Sequence, residues 1–570
     1  MAVFFDGRLL ETPTTASVVN DDAMRNQNLS VGNVLALVGK SSGGKPKSRL
    51  EFGSPTEAKK VLRSGELLEA VLKAFTPSGE TGGPQSIIAV RVNPALPAAL
   101  SLVDAASAEV IMLASTGYGL GENQIKARIE TGSISGKRLT TQLGSAYYTA
   151  DNIGRTALSV QYTGAAATAT ISVTATTVTL AAAAATPVVI PLAEFSTVGS
   201  LVDRINSEDG FHATVEDRSD TKATLNGLDF VTAASIKGAT VAIKADLQAV
   251  VDWFNGTGEG YVTATRAANA GTVPANIPFT YLAGGSDGVT TNTDWSDAFD
   301  SLQFIDVQWL TALSGDGAIR AMADTHIQFC SKQLRRERRG ILGMPVGSTD
   351  LEAAAAAKEL NSDRTSLVHL GNYDYDLNGK LVLFPPYNTA AIIAGAFAGV
   401  NPGTPLTNKT INVRGLERDL LNPTDTDILI RAGVLCVENT DEGYKVVKSI
   451  STWLVNDNYN RVEQSTGFAL DYTARSVRKA LDVLRGQKGN PLVLARAISI
   501  TESTLKELAK PEPQGPGVLA GDAANPAYKN ITASLNGDVL RTDYECSPVI
   551  PVNFVLNTIY ATPFSGSASA

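Results

Sequence analysis

Residues 547–560, close to the C-terminal end of the chain, are rich in Val, Ile, Phe and Tyr, which predicts a β-strand. In such a strand one face is largely apolar, with Ile550, Val552, Phe554 and Leu556, and Asn553 lies on the other face. An unpaired apolar strand at the end of a chain is an exposed sheet edge, which invites pairing with another chain. The pattern leaves two hypotheses open: the segment closes the protein's own sheet, or it is an arm donated to a neighbouring subunit. In the second case the residues of the inter-subunit strand are Val549, Ile550, Val552, Phe554, Val555, Leu556, Ile559 and Tyr560.

Strand and helix patterns alternate in two separate parts of the chain. Residues 34–38 form an apolar run typical of a buried strand, and Ser54, Pro55 and Glu57 then supply the N-cap, first position and capping-box acid of a helix. Residues 86–92 form the next strand, so this stretch is predicted to be a βαβ unit. The same alternation returns over residues 282–370, which favours a mostly parallel or mixed sheet covered by helices.

The region between these two parts has a different character. Residues 162–187 alternate Ala and Thr with Ile and Val, which predicts strands, and two short amphipathic helices follow. The apolar positions of these helices are Val198, Leu201, Val202 and Ile205 in the first, and Leu247, Val250, Val251 and Phe254 in the second. We therefore expect a β-rich domain that loops out of a single α/β sheet.

The C-terminal part combines short strands with two longer helices. Helices are predicted over residues 471–484 and 492–508, and a hairpin is predicted around the turn residues Asn536 and Gly537. The predicted fold class is a multidomain mixed α/β (α+β) chain. Its predicted divisions are an N-terminal arm (1–30), the first part of the α/β core (31–116), a β-rich inserted outer domain (117–275), the second part of the core (276–400), a C-terminal α+β domain (401–546) and a C-terminal arm (547–570).

Composition excludes several classes of partner. The net charge is −9 and the isoelectric point is about 5.2, so no general positive field favours direct binding of nucleic acid. The N-terminus lacks the pattern of a signal peptide, and the most apolar helical segment, residues 388–400, is too short to cross a bilayer. Three widely separated cysteines fit a reducing compartment. We expect no membrane insertion and a chain that stays in the cytoplasm where it is made.

Residues 39–45 match the first seven positions of a phosphate-binding P-loop and follow an apolar strand. The eighth position should be Ser or Thr, because that hydroxyl holds Mg²⁺, but it is Pro46 here. The next helix begins only at Pro55, too late to direct its N-terminus at a phosphate. A glycine-rich surface loop is therefore favoured over a P-loop-like nucleotide hydrolase, which stays as the alternative of another class.

Residues 374–379 match the first half of a calcium-binding loop. The position that should hold a bidentate Glu is Pro385, so a hairpin around Asn378 and Gly379 is favoured. The three histidines have no metal-ligand spacing, and no motif of nucleophilic or metal-dependent catalysis occurs. We expect no catalytic residues, no cofactor and no metal, and therefore no enzyme.

A basic cluster is formed by Arg335, Arg336, Arg338 and Arg339. Such a run is often a solvated helix end, where cations suit the helix dipole. It could equally contact an acidic surface of a partner subunit. Both readings stay open, and binding of phosphate or nucleic acid ranks behind them.

Several segments taken together resemble the tail sheath proteins of contractile bacteriophages. The segments that carry the resemblance are 54–75, 87–92, 282–288 with Trp295, 338–345, 394–395, 433–452, 471–484 and the closing strands. The resemblance covers roughly residues 30–120 and 280–560. The region 117–275 is of a kind that varies in such proteins.

This resemblance implies a structural subunit that assembles with itself into hexameric rings stacked helically around a tail tube. The conserved C-terminal part would face the tube, inserted domains would point outward, and terminal arms would add strands to sheets of neighbouring subunits. Contraction would then drive the tube through the host cell envelope. Implied partners are the tail tube, baseplate and tail terminator proteins, and the implied location is the virion tail, assembled in the host cytoplasm. The sheath of a phage-like contractile injection system or bacteriocin is the alternative within the same class.

Overall fold

The computed structural model describes residues 3–5, 8–10, 34–256, 260–563 and 566 of the 570-residue chain. Most of the predicted N-terminal arm, residues 1–30, lies outside the described residues. Within it, Val3–Phe5 and Arg8–Leu10 pair as antiparallel strands.

The strands are numbered along the chain. They are β1 (Val3–Phe5), β2 (Arg8–Leu10), β3 (Val34–Gly39), β4 (Arg49–Phe52), β5 (Ser86–Arg91), β6 (Ala99–Val103), β7 (Glu109–Ser115), β8 (Lys126–Thr131), β9 (Lys137–Leu143), β10 (Ala146–Ile153), β11 (Thr156–Tyr162), β12 (Ala169–Val173), β13 (Thr177–Ala182), β14 (Val188–Pro191), β15 (Phe211–Val215), β16 (Val231–Ser235), β17 (Val241–Lys244), β18 (Val262–Arg266), β19 (Ile277–Tyr281), β20 (Trp309–Ala312), β21 (Arg339–Gly343), β22 (Thr365–Val368), β23 (Asn372–Tyr375), β24 (Leu381–Phe384), β25 (Thr410–Ile411), β26 (Gly415–Leu416), β27 (Val434–Leu435), β28 (Val437–Thr440), β29 (Gly443–Val446), β30 (Tyr528–Asn536) and β31 (Val539–Cys546).

The helices are numbered in the same way. They are α1 (Pro55–Leu62), α2 (Glu66–Phe75), α3 (Val198–Asn206), α4 (Asp246–Gly256), α5 (Asn292–Ser301), α6 (Gly317–Lys332), α7 (Asp350–Leu360), α8 (Pro386–Gly399), α9 (Thr424–Arg431), α10 (Tyr459–Val462), α11 (Gln464–Leu481) and α12 (Pro491–Leu508).

A seven-stranded sheet forms the centre of the protein, in the order β27-β22-β21-β20-β3-β5-β4. Neighbouring strands run parallel except β4, which runs antiparallel to β5 at one edge. Strand β3 pairs directly with β20, with Leu35 opposite Trp309. The two parts of the core, which are far apart in sequence, therefore form one sheet. The predicted mixed α/β fold is confirmed.

Helices cover both faces of this sheet, which explains why its strands are continuously apolar rather than alternating. Leu35 and Leu37 of β3 point to one face, where they pack with α2 and α8. Ala36 and Val38 point to the other face, where they join α5, α6 and α7. Because both faces are buried, the sheet is a rigid support for everything attached to it.

Helix α8 is the most deeply buried helix of the core, and its sequence is apolar on nearly every side. It packs against α2 at Gly395, where an added Cβ would lie 2.4 Å from the carbonyl oxygen of Ala74. No side chain larger than hydrogen fits this close approach without moving the backbone. The Ala-Gly pair at 394–395 thus serves helix packing.

The region between the two core parts contains two hydrophobic cores, one inserted within the other. The first is built by strands β6–β9, helix α4 and β18, and it includes Ala98 and Leu282 at its ends. The second lies between β10 and α4 in sequence and comprises strands β11–β17 with α3. The first core begins earlier than the predicted boundary at residue 117, since β6 and β7 belong to it.

The C-terminal part is not separated from the central sheet at the predicted boundary of residue 401. Strand β27 pairs in parallel with β22 and forms the sheet's outer strand. Helices α11 and α12 then pack together with the hairpin β30–β31 around a small core. The hairpin pairs Asn536 with Val539, so its turn lies at Gly537 and Asp538, one residue later than predicted.

Trp309 is the largest fully buried side chain of the core and generates a stability prediction. Its ring stacks on Phe397 at 4.3 Å between centroids, and Phe468 lies at 5.2 Å. We expect Trp309→Ala to lower the free energy of unfolding of the core by about 3–5 kcal/mol, because it leaves a cavity. The Trp309 indole N–H is buried without a hydrogen-bond partner among the described residues, so Trp309→Phe should cost clearly less.

Urea denaturation followed by circular dichroism measures both effects. Tyr147→Ala is the matched control, because that aromatic ring is largely exposed, and its effect should stay within about 0.5 kcal/mol. Equal losses for Trp309→Ala and Tyr147→Ala would contradict the assigned role of Trp309.

Candidate functional site

The C-terminal arm leaves the body of the protein after the hairpin β30–β31. Its first residues are tied down by backbone hydrogen bonds: Ser547 donates to Ala527, and Val549 donates to Val518. The Thr466 hydroxyl donates to the carbonyl oxygen of Val549 at 3.0 Å. Thus the predicted arm residue Val549 is held by its own chain.

Asn553 is the last residue of the arm with side-chain hydrogen bonds in the described structure. Its amide donates to Glu463 Oε1 at 2.7 Å, and its carbonyl oxygen accepts from the Thr407 hydroxyl at 3.2 Å. Both partners lie in the body of the protein, so Asn553 is an anchor point. The residue pattern of the arm does not single out Asn553.

Beyond Asn553 the arm is exposed. Described residues 554–563 have no regular secondary structure, and no backbone hydrogen bond joins them to the described part of the chain. The large apolar side chains in this stretch are more than three-quarters exposed: Phe554, Val555, Leu556, Ile559 and Tyr560. Ile550 and Val552, nearer the anchor, are also exposed. The predicted strand is therefore not formed within this single chain.

The hairpin β30–β31 lies next to the root of the arm and forms a sheet of only two strands. One face of β30 packs on helix α12, and its side chains alternate between half-buried and exposed positions. In the described structure the outer edge of each strand has no strand partner. The unpaired C-terminal arm therefore follows directly on a two-stranded sheet whose outer edges are open.

Two of the arginines proposed as subunit contacts are buried, which corrects that prediction for them. Helix α6 ends at Lys332 and strand β21 begins at Arg339, so the basic run turns inward between two core elements. Arg338 donates to the carbonyl oxygens of Leu302 and Ile305 and to His326 Nε2 at 2.9 Å. Burial lowers the pKa of His326 to about 3, so its neutral ring accepts this bond.

Arg339 is also inside the protein and holds the sheet to helix α11. Its Nε donates to Asp471 at 2.9 Å and its Nη1 donates to Gln464 at 2.9 Å. Asp471 also accepts two bonds from Arg364, each at 2.9 Å. Arg335 is exposed and Arg336 is half-buried, so these two alone remain candidates for contact with another subunit.

The loop that resembles a P-loop does not present its amides to a ligand. The amide of Gly43 donates to Leu62 and that of Ser42 donates to Ser64, both at 3.0 Å. A strand, β4, separates this loop from helix α1. The N-terminus of helix α2 does reach the loop, but the amide of Leu67 there donates to the carbonyl oxygen of Lys40 at 2.9 Å. The backbone groups that would hold a phosphate already hold the chain together.

Residues 372–384 form the predicted hairpin, made by β23 and β24. Asp376 Oδ1 accepts from the amides of Asn378 and Lys380, both at 2.9 Å, and these backbone bonds lower the pKa of Asp376. The carboxylate therefore stabilises the turn. Across the described residues, no cluster of three metal-ligating side chains is found. No helix among them is long and apolar enough to span a membrane.

The described residues form a multidomain protein of mixed α/β fold with an exposed C-terminal arm. Residues 288–452 match the family of phage tail sheath proteins over its central domain. The tail sheath protein of Bacillus phage SP01 is 29% identical over 591 aligned positions, which cover 99% of this chain and 98% of the relative. The putative tail sheath protein of Enterococcus phage phiEF24C is 28% identical over 84% of this chain and 85% of the relative.

A solved structure supports the same assignment at the level of fold. The crystal structure of a sheath tail protein from Listeria innocua superimposes with a TM-score of 0.56 at 14% identity, and the match covers 92% of this chain and 94% of that one. The resemblance to the tail sheath proteins of bacteriophages that the sequence predicts is thereby confirmed.

The buried carboxylate of Asp471 generates a second prediction. We expect Asp471→Asn to lower the free energy of unfolding by about 3–5 kcal/mol, because it removes the carboxylate that pairs with the buried guanidinium groups of both Arg339 and Arg364. Asp482→Asn is the matched control, since its ion pair with Arg485 is exposed and should contribute less than about 1 kcal/mol. Thermal unfolding of both variants, followed by circular dichroism, tests this, and similar stability of the two variants would refute it.

Proposed function

We propose that this chain is the subunit of a contractile tail sheath, which polymerises as stacked hexameric rings around a tail tube and shortens to drive the tube through the host envelope. The observation that carries the proposal is the exposed arm beyond Asn553, which lies beside a hairpin with open edges. The rings and the tube in this proposal are taken from the resemblance to the family. The exposed arm and the open hairpin edge of this chain support the proposed strand exchange.

The energetics of the arm favour pairing with another chain. Burying each of its large apolar side chains contributes about 1.5–3 kcal/mol. Fixing the backbone of each arm residue costs about 1–2 kcal/mol, so burial and ordering nearly cancel. The arm is therefore expected to become ordered only where a second strand adds ladder hydrogen bonds. An open edge of β30 or β31 in a neighbouring copy is such a strand, and addition of this kind is β-augmentation.

Exchange of an arm between identical copies is a head-to-tail contact. The donating surface and the accepting surface differ, so each copy can donate once and accept once. Such contacts propagate into closed rings or open helices rather than stopping at a dimer. This geometry suits a sheath of rings stacked helically, in which the flexible arms keep neighbours joined while the bodies move.

Work by such a sheath needs no catalytic site in the subunit. If the extended and contracted packings differ by on the order of a few kcal/mol per subunit, many subunits together release a large free energy. We accordingly propose that the protein is not an enzyme. The tail tube, baseplate and tail terminator proteins are its proposed partners, with residues 401–546 toward the tube and residues 117–275 outward.

Truncation after Asn553 tests the strand exchange. It removes the exposed part of the arm and keeps the anchor at Asn553, so we expect a folded protein that no longer forms tubes. Negative-stain electron microscopy of the purified chain scores tube formation, and circular dichroism confirms folding. The loss should be complete because every contact between neighbours in the ring would lack its donated strand.

Truncation after Pro563 is the matched control, because it removes C-terminal residues but leaves the apolar stretch 554–560 intact. This variant should form tubes like the full chain. Normal tubes from the chain truncated after Asn553 would disprove the exchange. Loss of tubes in both variants would also count against it, since the apolar stretch would then not be the deciding part.

A further inference from the structure

Three side chains with complementary chemistry meet at the root of the arm: Lys448, Glu463 and Asn553. A single oxygen, Glu463 Oε1, accepts the bond from Asn553 Nδ2 at 2.7 Å and pairs with Lys448 Nζ at 3.7 Å. The amine and the side-chain amide are therefore no further apart than the sum of these two distances. An amine and a carboxamide that share one carboxylate partner are the groups needed to form an amide bond between two side chains.

The backbone holds two of these residues in fixed positions. Glu463 precedes helix α11 and forms an antiparallel bridge with Ile450. The amide of Gln464 donates to the carbonyl oxygen of Ser449 at 3.1 Å, which ties the segment carrying Lys448 to the start of the helix. Lys448 reaches the carboxylate on a flexible four-carbon stem, so rotation of that stem brings Nζ closer to Asn553.

The carboxyl group of Glu463 lies in a site from which water is largely excluded. Only 1% of its surface is exposed, and its second oxygen, Oε2, has no hydrogen-bond partner among the described residues. Burial raises the pKa of Glu463, although Lys448 and Asn553 oppose this. Because burial disfavours the charged form of this carboxylate, it accepts a proton readily. This property suits a group that carries a proton from Lys448 to Asn553.

The carboxamide of Asn553 is polarised from its other side. The Thr407 hydroxyl donates to Asn553 Oδ1 at 3.2 Å, and Thr407 Oγ1 itself accepts from the amide of Ser449. This donor sits where negative charge would develop on Oδ1 if a nucleophile attacked Cγ. The leaving nitrogen, Nδ2, faces Glu463, so donor and proton carrier lie at the two ends of the same amide.

We propose that Lys448 and Asn553 become joined by an isopeptide bond, with Glu463 as the proton carrier and Thr407 as the donor to the oxyanion. The Lys448 ammonium first gives one proton to the Glu463 carboxylate, and the free amine then attacks Asn553 Cγ. The electron pair of the carbonyl bond moves to Oδ1. A second proton passes from Nζ to Nδ2, and collapse of the intermediate restores the carbonyl and breaks the Cγ–Nδ2 bond.

The leaving ammonia takes the proton held by Glu463, which returns to its carboxylate form. The products are one amide between the two side chains and one ammonium ion, and neither oxidation nor a further reactant is needed. The chain loses the mass of one ammonia and one positive charge. The bond would fix the root of the arm permanently to the body of the protein, directly before the exposed stretch 554–563.

Mass spectrometry of the full chain tests the proposal directly. After incubation of the purified protein at neutral pH, we expect an intact mass lower than that of the sequence by one ammonia. Tryptic digestion should yield a branched peptide that contains both Lys448 and Asn553. A full sequence mass, with the two residues recovered in separate peptides, would overturn the proposal whatever the variants show.

Variants identify the residues that perform the reaction. Lys448→Arg keeps the positive charge but lacks the primary amine, so its mass should equal that of its sequence. Glu463→Gln keeps the volume but cannot carry the proton, so at least a tenfold slower loss of ammonia is expected. Unchanged formation of the bond in Glu463→Gln would remove Glu463 from the proposed reaction.

The chain contains its own control pair. Lys445 Nζ lies 3.1 Å from Asn408 Oδ1, but the carboxylate beside it, Glu442, is exposed rather than buried. This pair should remain unlinked, and Lys445→Arg should still lose one ammonia. A ladder of covalent multimers on denaturing gels would contradict a bond within one chain. The proposal does not depend on the proposed function, because mass rather than tube formation is the measurement.

Discussion

The backbone of an apolar strand needs a partner, and the C-terminal arm of this protein has no strand partner among the described residues of its own chain. Residues 554–560 have the composition of a strand, yet they lie exposed and make no ladder with the described chain. Unpaired backbone groups next to exposed apolar side chains are a template for pairing with another chain. The account of this protein as an assembly subunit rests on that imbalance.

The arm is linked to the central sheet of the protein through helix α11. The central sheet is buried on both faces, which makes it rigid, and its strands come from segments separated by the whole insertion. Helix α11 is fastened to the sheet through Asp471, which joins Arg339 of β21 to Arg364. The same helix carries Glu463 at its start, and Glu463 binds Asn553 in the arm. A short series of polar contacts thus connects the arm to the central sheet through helix α11.

Local patterns predicted the individual elements well. The apolar positions expected for α3, namely Val198, Leu201, Val202 and Ile205, are the ones that the structure buries. The apolar run at 34–38 is a fully covered strand, as its lack of alternation indicates. These features depend on residues close in sequence, so periodicity and capping chemistry are enough to find them.

Features that depend on distant residues were not predictable in this way. The basic run at 335–339 has the appearance of a solvated surface, but Arg339 pairs with Asp471 and Arg338 lies among backbone carbonyls. The inserted region contains two nested cores because strands that are distant in sequence pair with one another. The amino-acid composition of the region does not indicate which strands will pair. Asn553 looked like an ordinary polar position in a strand, since its partners Glu463 and Thr407 are remote in sequence.

A high-resolution electron microscopy reconstruction of the assembled particle tests the central claim most directly, because it traces residues 554–560 in place. The account predicts that these residues form a hydrogen-bonded ladder with a strand of another copy. A map in which they pair only with their own molecule, or with nothing, would contradict it.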